Sequence, residues 1–182
     1  MKTKPNIYEI MLLTSEEAHN LLKGEIKKED PDLELIRDIF EYSVVDINSK
    51  DYRGMTTLMC ATVWGNEKII ELLLRHPEID VNIQDEEIGW SALIYAVYNL
   101  QPKSVELLLK HPKIDVNVQD QWDRTALMYT VSDIYDHKNI KKIEAIIDLL
   151  LQQSGIDANL QDEDGMTASM WASSHGYELK HT

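Results

Sequence analysis

The chain has 182 residues, with 32 acidic side chains against 18 basic ones and a formal net charge of −14. That length suffices for one or two small domains with a core, and a hydrophobic fraction of 43% argues against wholesale disorder. The acidic balance disfavours nucleic acid and anionic membrane surfaces as partners, and a single cysteine, Cys60, excludes an internal disulfide.

The opening segment, MKTKPNIYEIMLLT, lacks the apolar run of a secretory leader because Asn6, Tyr8 and Glu9 interrupt it. No stretch approaches the eighteen or more apolar residues that span a bilayer. A cytoplasmic protein is the expectation. Residues 1–13 resemble nothing later in the chain and can either pack along the first helices or serve a partner. Ser15 to Leu22 reads as a helix ended by Gly24, and Leu33 to Tyr42 as a second, with a polar loop at 27–31 between them.

From there the chain repeats itself. VVDINSKD (44–51), EIDVNIQD (78–85), KIDVNVQD (113–120) and GIDANLQD (155–162) share one pattern, and their asparagines fall at 48, 82, 117 and 159. Steps of 34, 35 and 42 residues mean one supersecondary unit stacked several times. Each pattern is followed by a turn and a short amphipathic run that Thr56, Ser91, Thr125 or Thr167 can cap. A second helix carries leucine-rich runs such as ELLLRHP and ELLLKHP, where His76-Pro77 and His111-Pro112 stop it. Two antiparallel helices and a projecting hairpin therefore make each unit.

The pattern resembles the ankyrin repeat, on the strength of Asp-x-x-Gly followed by Thr/Ser, a helix, a Leu-Leu helix and Asp-Val-Asn, over about residues 33 to 177. The resemblance implies an all-α solenoid with short β-hairpins in one domain. Its parts are an N-terminal extension and capping repeat (1–50), full repeats at 51–84, 85–119 and 120–161, and a truncated repeat at 162–182. The family's histidine is replaced by Met59, Ile94, Met128 and Met170, so apolar packing must substitute there. Asp123 stands where the other turns have glycine and must accept a left-handed backbone. About seven extra residues around Asp133 to Asn139 enlarge the third full repeat. The last repeat is too short for a second helix, so either its one helix with Met170, Trp171 and Tyr177 covers the preceding repeat, or another chain covers the edge, or the natural protein continues.

No catalytic constellation emerges. His76 and His111 follow the repeat, the other histidines lack metal-ligand spacing, and Cys60 shares the position of Tyr95, Tyr129 and Trp171. Asp162 to Gly165 reads as a hairpin tip, not a calcium loop. Neither an enzyme nor a cofactor nor a metal site is expected.

The resemblance implies a protein-interaction module, an adaptor, scaffold or inhibitor, that binds through its hairpin tips and the concave face of its first helices. By repeat position the tips are Tyr52, Arg53 and Met55; Glu86, Ile88 and Trp90; Gln121, Trp122 and Arg124; and Glu163, Asp164 and Met166. Trp64 and Tyr98 adjoin them at helix ends. Aromatics and arginine are the side chains most often found as interface hot spots, although Trp90 and Trp122 can also fold back along their own hairpins. The expected partner is a protein with a hydrophobic anchor and basic flanks, not nucleic acid or membrane, and self-association through the C-terminal edge stays open. Two alternatives stand beside this: repeats that position another domain of a larger regulatory protein, and a substrate of the asparagine hydroxylation known in the family, at Asn82, Asn117 and Asn159.

Overall fold

The structure, a computed structural model, describes residues 4–132 and 138–179. Asp133 to His137, most of the expected insertion, therefore lie outside the described residues. Among the described residues, ten helices run in two rows. The inner row is α2 (Ser15–Ile26), α4 (Thr57–Trp64), α6 (Ala92–Tyr98), α8 (Ala126–Ser132) and α10 (Ala168–Ser174). The outer row is α3 (Leu33–Tyr42), α5 (Glu67–Leu74), α7 (Pro102–Leu109) and α9 (Ile140–Leu151), with α1 (Ile7–Met11) packed on α3. None of the described helices is long and apolar enough to cross a membrane.

Position in the stack explains composition. Helix α4 lies against α2, α5 and α6, and Leu58, Met59, Cys60 and Ala61 are buried on every side of it. Outer helices keep one polar stripe: in α5, Ile69, Ile70 and Leu73 are buried while Glu71 is exposed. Thr56, Ser91, Thr125 and Thr167 each accept the backbone N–H three residues on, at 3.2 to 3.4 Å. The residues in place of the family's histidine do pack, since Met59, Ile94 and Met128 are buried, whereas Met170 is half exposed. Two of them add a contact, because Met59 Sδ accepts the N–H of Thr56 (3.3 Å) and Met128 Sδ that of Thr125 (3.5 Å).

The N-terminal unit differs from the expectation. Helix α2 runs through Gly24 to Ile26, since burial of Ile26 and the bonds that the Glu25 carboxylate makes to Asp32 N–H and Lys28 outweigh the roughly 1 kcal/mol that a helical glycine costs. The buried Glu25 carboxylate accepts the N–H of Asp32 (2.8 Å), which fastens the loop at 27–31. Residues 7–11 form a helix that buries Ile10 and leaves Ile7, Tyr8 and Met11 exposed. At the other end α10 is covered by the chain that follows it: Tyr177 donates its N–H to Ala172 O (2.9 Å), and Leu179 is buried. Burial and the carboxylates of Glu144 and Asp148 on α9 push the Tyr177 hydroxyl up. The enlarged third repeat shows in α9, which has 12 residues against 8 in α5 and α7.

Side-chain amides lock neighbouring repeats in register. Asn48 donates to Glu78 O (2.7 Å) and accepts from Asp80 N–H (2.8 Å). Asn82 does the same with Lys113 O (2.7 Å) and Asp115 N–H (2.8 Å), and Asn117 with Gly155 O (2.7 Å) and Asp157 N–H (2.9 Å). Gln84 and Gln119 reach the carbonyls of Gln119 and Gln161 in the following repeat, at 2.8 and 3.0 Å. The hairpins themselves shrink to single antiparallel bridges, Lys50 to Thr56, Gln84 to Ser91 and Gln161 to Thr167.

The tip turns need a left-handed residue. Gly54, Gly89 and Gly165 supply it at φ +73° to +75°, and Asp123 takes the same role at φ +57°. A Cβ at Gly54 would also fall 2.8 Å from the backbone nitrogen of Glu86 in the next tip. Two opposite outcomes are therefore expected in urea denaturation. Asp123→Gly raises stability by up to about 1 kcal/mol by relieving the left-handed cost, and Gly54→Ala lowers it by at least as much.

Candidate protein-binding surface

Each tip is built on an aspartate whose carboxylate is buried. One oxygen accepts backbone N–H groups of its own turn: Arg53 and Met55 on Asp51 (2.8 and 3.1 Å), Glu87 and Ile88 on Asp85 (2.7 and 2.8 Å). Trp122 and Arg124 bond Asp120 (both 2.9 Å), and Asp164 and Met166 bond Asp162 (3.1 and 2.9 Å). The second oxygen takes a donor from the helix that follows. Tyr95 Oη gives its proton to Asp85 (3.2 Å), Tyr129 Oη to Asp120 (2.6 Å) and Trp171 Nε1 to Asp162 (2.9 Å). Cys60 holds that place in the first repeat, and there Lys23 Nζ of α2 meets Asp51 Oδ2 at 2.7 Å. The aromatic position shared by Tyr95, Tyr129 and Trp171 is thus a polar anchor.

This architecture corrects the expected display of Trp90. Its indole is 8% exposed and donates to Asp120 Oδ2 (3.0 Å) and to Tyr129 Oη (3.2 Å) in the next repeat. It packs on the rings of Tyr95, Tyr98 and Tyr129, with centroids 4.6 to 5.2 Å away. Met55 is likewise buried, under the first tip. Neither can anchor a partner without leaving the core.

The remaining tip residues stay at the surface. Tyr52, Arg53, Glu86, Gln121, Glu163 and Asp164 are exposed; Ile88, Trp122, Arg124 and Met166 are half-buried. Arg124 is held between Asp162 (3.7 Å) and the Trp171 ring (5.3 Å). Along the inner row the exposed aromatics are Tyr52 (87%), Trp64 (56%) and Tyr98 (52%). Tyr98 rests on the Trp90 cluster, while Lys27 Nζ lies 5.4 Å from the Trp64 ring and Lys23 Nζ 4.2 Å from the Tyr52 ring. Trp64 and Tyr98 thus combine large exposure with the rigid support of a helix end.

Groups with chemical potential are structural in this setting. Burial pushes the Cys60 thiol up, and the charge of Asp51 adds to it. His76 Nδ1 and His111 Nδ1 accept the N–H groups of Glu78 and Lys113 (3.2 and 3.3 Å), as repeat-bound residues should. Among the described residues no three of His, Cys, Asp and Glu are disposed to hold a metal ion. Asn82 and Asn117 are the inter-repeat staples described above; Asn159 holds the matching place in the last repeat and is exposed.

The carboxylates make the tips sensitive to acid. Burial pushes Asp51 and Asp162 up, but Lys23 and the turn N–H groups for Asp51, and the N–H groups of Met166 and Asp164 with Trp171 Nε1 for Asp162, outweigh it and hold both below the usual range. A carboxyl lowered in the folded chain binds fewer protons there than in the unfolded one. Its contribution is therefore complete at neutral pH and is lost as pH falls from the ordinary value of 3.8 through the lower folded one. Acid titration by circular dichroism should show Asp51→Asn/Asp162→Asn losing less stability than wild type as pH falls below about 4. Asp120→Ala, which orphans the Trp122 and Arg124 N–H groups and the Tyr129 hydroxyl and leaves Trp90 Nε1 only Tyr129 Oη, should cost at least about 3 kcal/mol in urea denaturation.

Comparison with known proteins agrees with this geometry. The family model described as ankyrin repeats (3 copies) matches residues 26–120 and 93–180. A curated relative, BTB/POZ domain-containing protein 1 of Schizosaccharomyces pombe, is 44% identical over 52 residues, which are 29% of this chain and 4% of that protein. Among solved structures, the ankyrin repeat domain of Bcl-3, titled a unique member of the IkappaB protein family, superposes with a TM-score of 0.70 at 24% identity. The match covers 86% of this chain and 62% of that one, so the likeness speaks for the fold. With its repeats, caps and tip turns in register over most of its length, the chain belongs to the ankyrin-repeat family.

Proposed function

We propose that the chain is a non-catalytic protein-interaction module, an adaptor, scaffold or inhibitor, whose partner lies across the exposed tips and the inner-row helix ends. Ankyrin repeats are in general protein-interaction modules. The observation that carries the reading for this chain is the row Tyr52, Trp64 and Tyr98, large aromatics held out of the core on the side of the tips. Burying one such ring removes enough apolar area to contribute about 2 kcal/mol to an interface. Trp90 is excluded as an anchor, and its replacement would break the fold instead of testing binding.

The test is capture of partners from lysate of the chain's own organism, with wild type beside Trp64→Ala/Tyr98→Ala. Both exposed residues can be truncated with little change in helical content, checked by circular dichroism. A protein retained by wild type and weakened at least about tenfold by the variant supports the reading. A partner captured equally by both moves the site away from the aromatic row.

A further inference from the structure

The first repeat has a space that the other repeats fill. Where they carry Tyr95, Tyr129 and Trp171, it carries Cys60, and the shorter side chain leaves a cavity of about 170 Å³ beside the tip. Its wall is aromatic on two sides, Tyr52 and Trp64, and its rim carries Lys23, Lys27 and Arg53. A second cavity of about 450 Å³ shares Lys23 and Tyr52 and continues toward Lys50 and His19, with Glu16 at its edge. Lys23 is committed to Asp51 at 2.7 Å, and Arg53 Nε stands 3.8 Å from the same carboxylate oxygen. Lys50 pairs with Glu86 at 3.3 Å. Lys27 faces the Trp64 ring, and the Arg53 side chain is 51% exposed. Three cations, two of them sharing the buried Asp51 carboxylate, thus line a ring-sized space on a chain whose net charge is −14. The polarity is opposite to that of the later tips, where Glu86, Glu87, Glu163 and Asp164 dominate.

We propose that this cavity docks an acidic segment of a partner protein, which inserts one aromatic side chain between Tyr52 and Trp64 while flanking carboxylates meet Lys27 and Arg53. The proposal rests on the interaction-module reading and supplies the chemistry of the partner. The inserted ring restores the packing that the neighbouring repeats obtain from their own tyrosine or tryptophan. Carboxylates complement Lys27, which faces the Trp64 ring, and the half-exposed Arg53, which shares the Asp51 carboxylate with Lys23, and the aromatic walls strengthen that attraction by excluding water. A basic flank, which suits the later tips, is repelled here.

A fluorescein-labelled peptide with one tyrosine between runs of glutamate, titrated with the full chain and read by anisotropy, tests the pocket directly. Saturable binding is expected, weakened at least about tenfold by replacing the tyrosine with alanine and by Lys27→Glu/Arg53→Glu. Cys60→Tyr places in the cavity the residue that two sister repeats already hold there, and it should abolish binding in a folded protein. Should that variant fail to fold, Trp64→Ala serves, because its side chain is at the surface. Unchanged binding to Lys27→Glu/Arg53→Glu, or to the folded pocket variant used, overturns the proposal. Equal binding of a lysine-flanked peptide, tighter binding of oligothymidylate, or no binding at all overturns it too. If the peptide fails while a lysate partner is still captured through Trp64 and Tyr98, the pocket falls and the interaction module stands. If the peptide binds while a lysate partner is captured equally by wild type and by Trp64→Ala/Tyr98→Ala, the pocket stands and the reading that this partner lies across the aromatic row falls.

Discussion

A carboxylate removed from water must be met by donors on all sides, and the tip aspartate of every repeat imposes that requirement on its surroundings. One oxygen gathers the N–H groups of the turn, so the turn keeps its shape only while that acceptor is in place. In all but the first repeat the other takes a donor from the following helix, which fixes where that helix begins relative to the tip; Asp51 takes Lys23 of α2 instead. Tip shape, helix placement and the identity of the residue nine or ten positions on are therefore consequences of one buried group. Asp120 goes furthest, since the indole of Trp90 reaches it from the preceding repeat and joins two repeats through a single acceptor.

Between repeats the coupling is local. The inter-repeat asparagine and glutamine amides reach only an adjacent unit, Asn66 the one before and the others the one after, and the helices of each row pack on their immediate neighbours. Stability in such a stack is close to a sum of units and nearest-neighbour interfaces. A unit that departs from the pattern is then tolerated as long as its two interfaces survive. The first repeat does depart, with Cys60 for an aromatic and Lys23 for the ring donor, and its cost is limited to the space left beside the tip.

Much of this was legible in the residues because the repeat imposes the same local demands several times. The caps at Thr56, Ser91, Thr125 and Thr167, the left-handed Asp123 and the limits of α3 all follow from short-range chemistry. Contacts made across repeats were not legible. Trp90 sits at a tip position by count, and nothing in its own unit shows that an acceptor for its N–H waits 30 residues later. Gly24 reads as a helix end until the burial of Glu25 and Ile26 is known. The pairing of Lys23 with Asp51 joins a capping helix to a repeat, so no periodicity could announce it. For the same reason the basic, aromatic side of the first tip was hidden within a strongly acidic composition.

The asparagine staples of the repeat motif all point the same way, unlike Asn66, which reaches back to the capping unit. Asn48, Asn82 and Asn117 each close on backbone that lies 30 to 40 residues further along the chain, and never on the unit before. A ribosome delivers the chain in that same order. Each repeat is thus fastened by the arrival of its successor, and the stack tightens behind the point of synthesis.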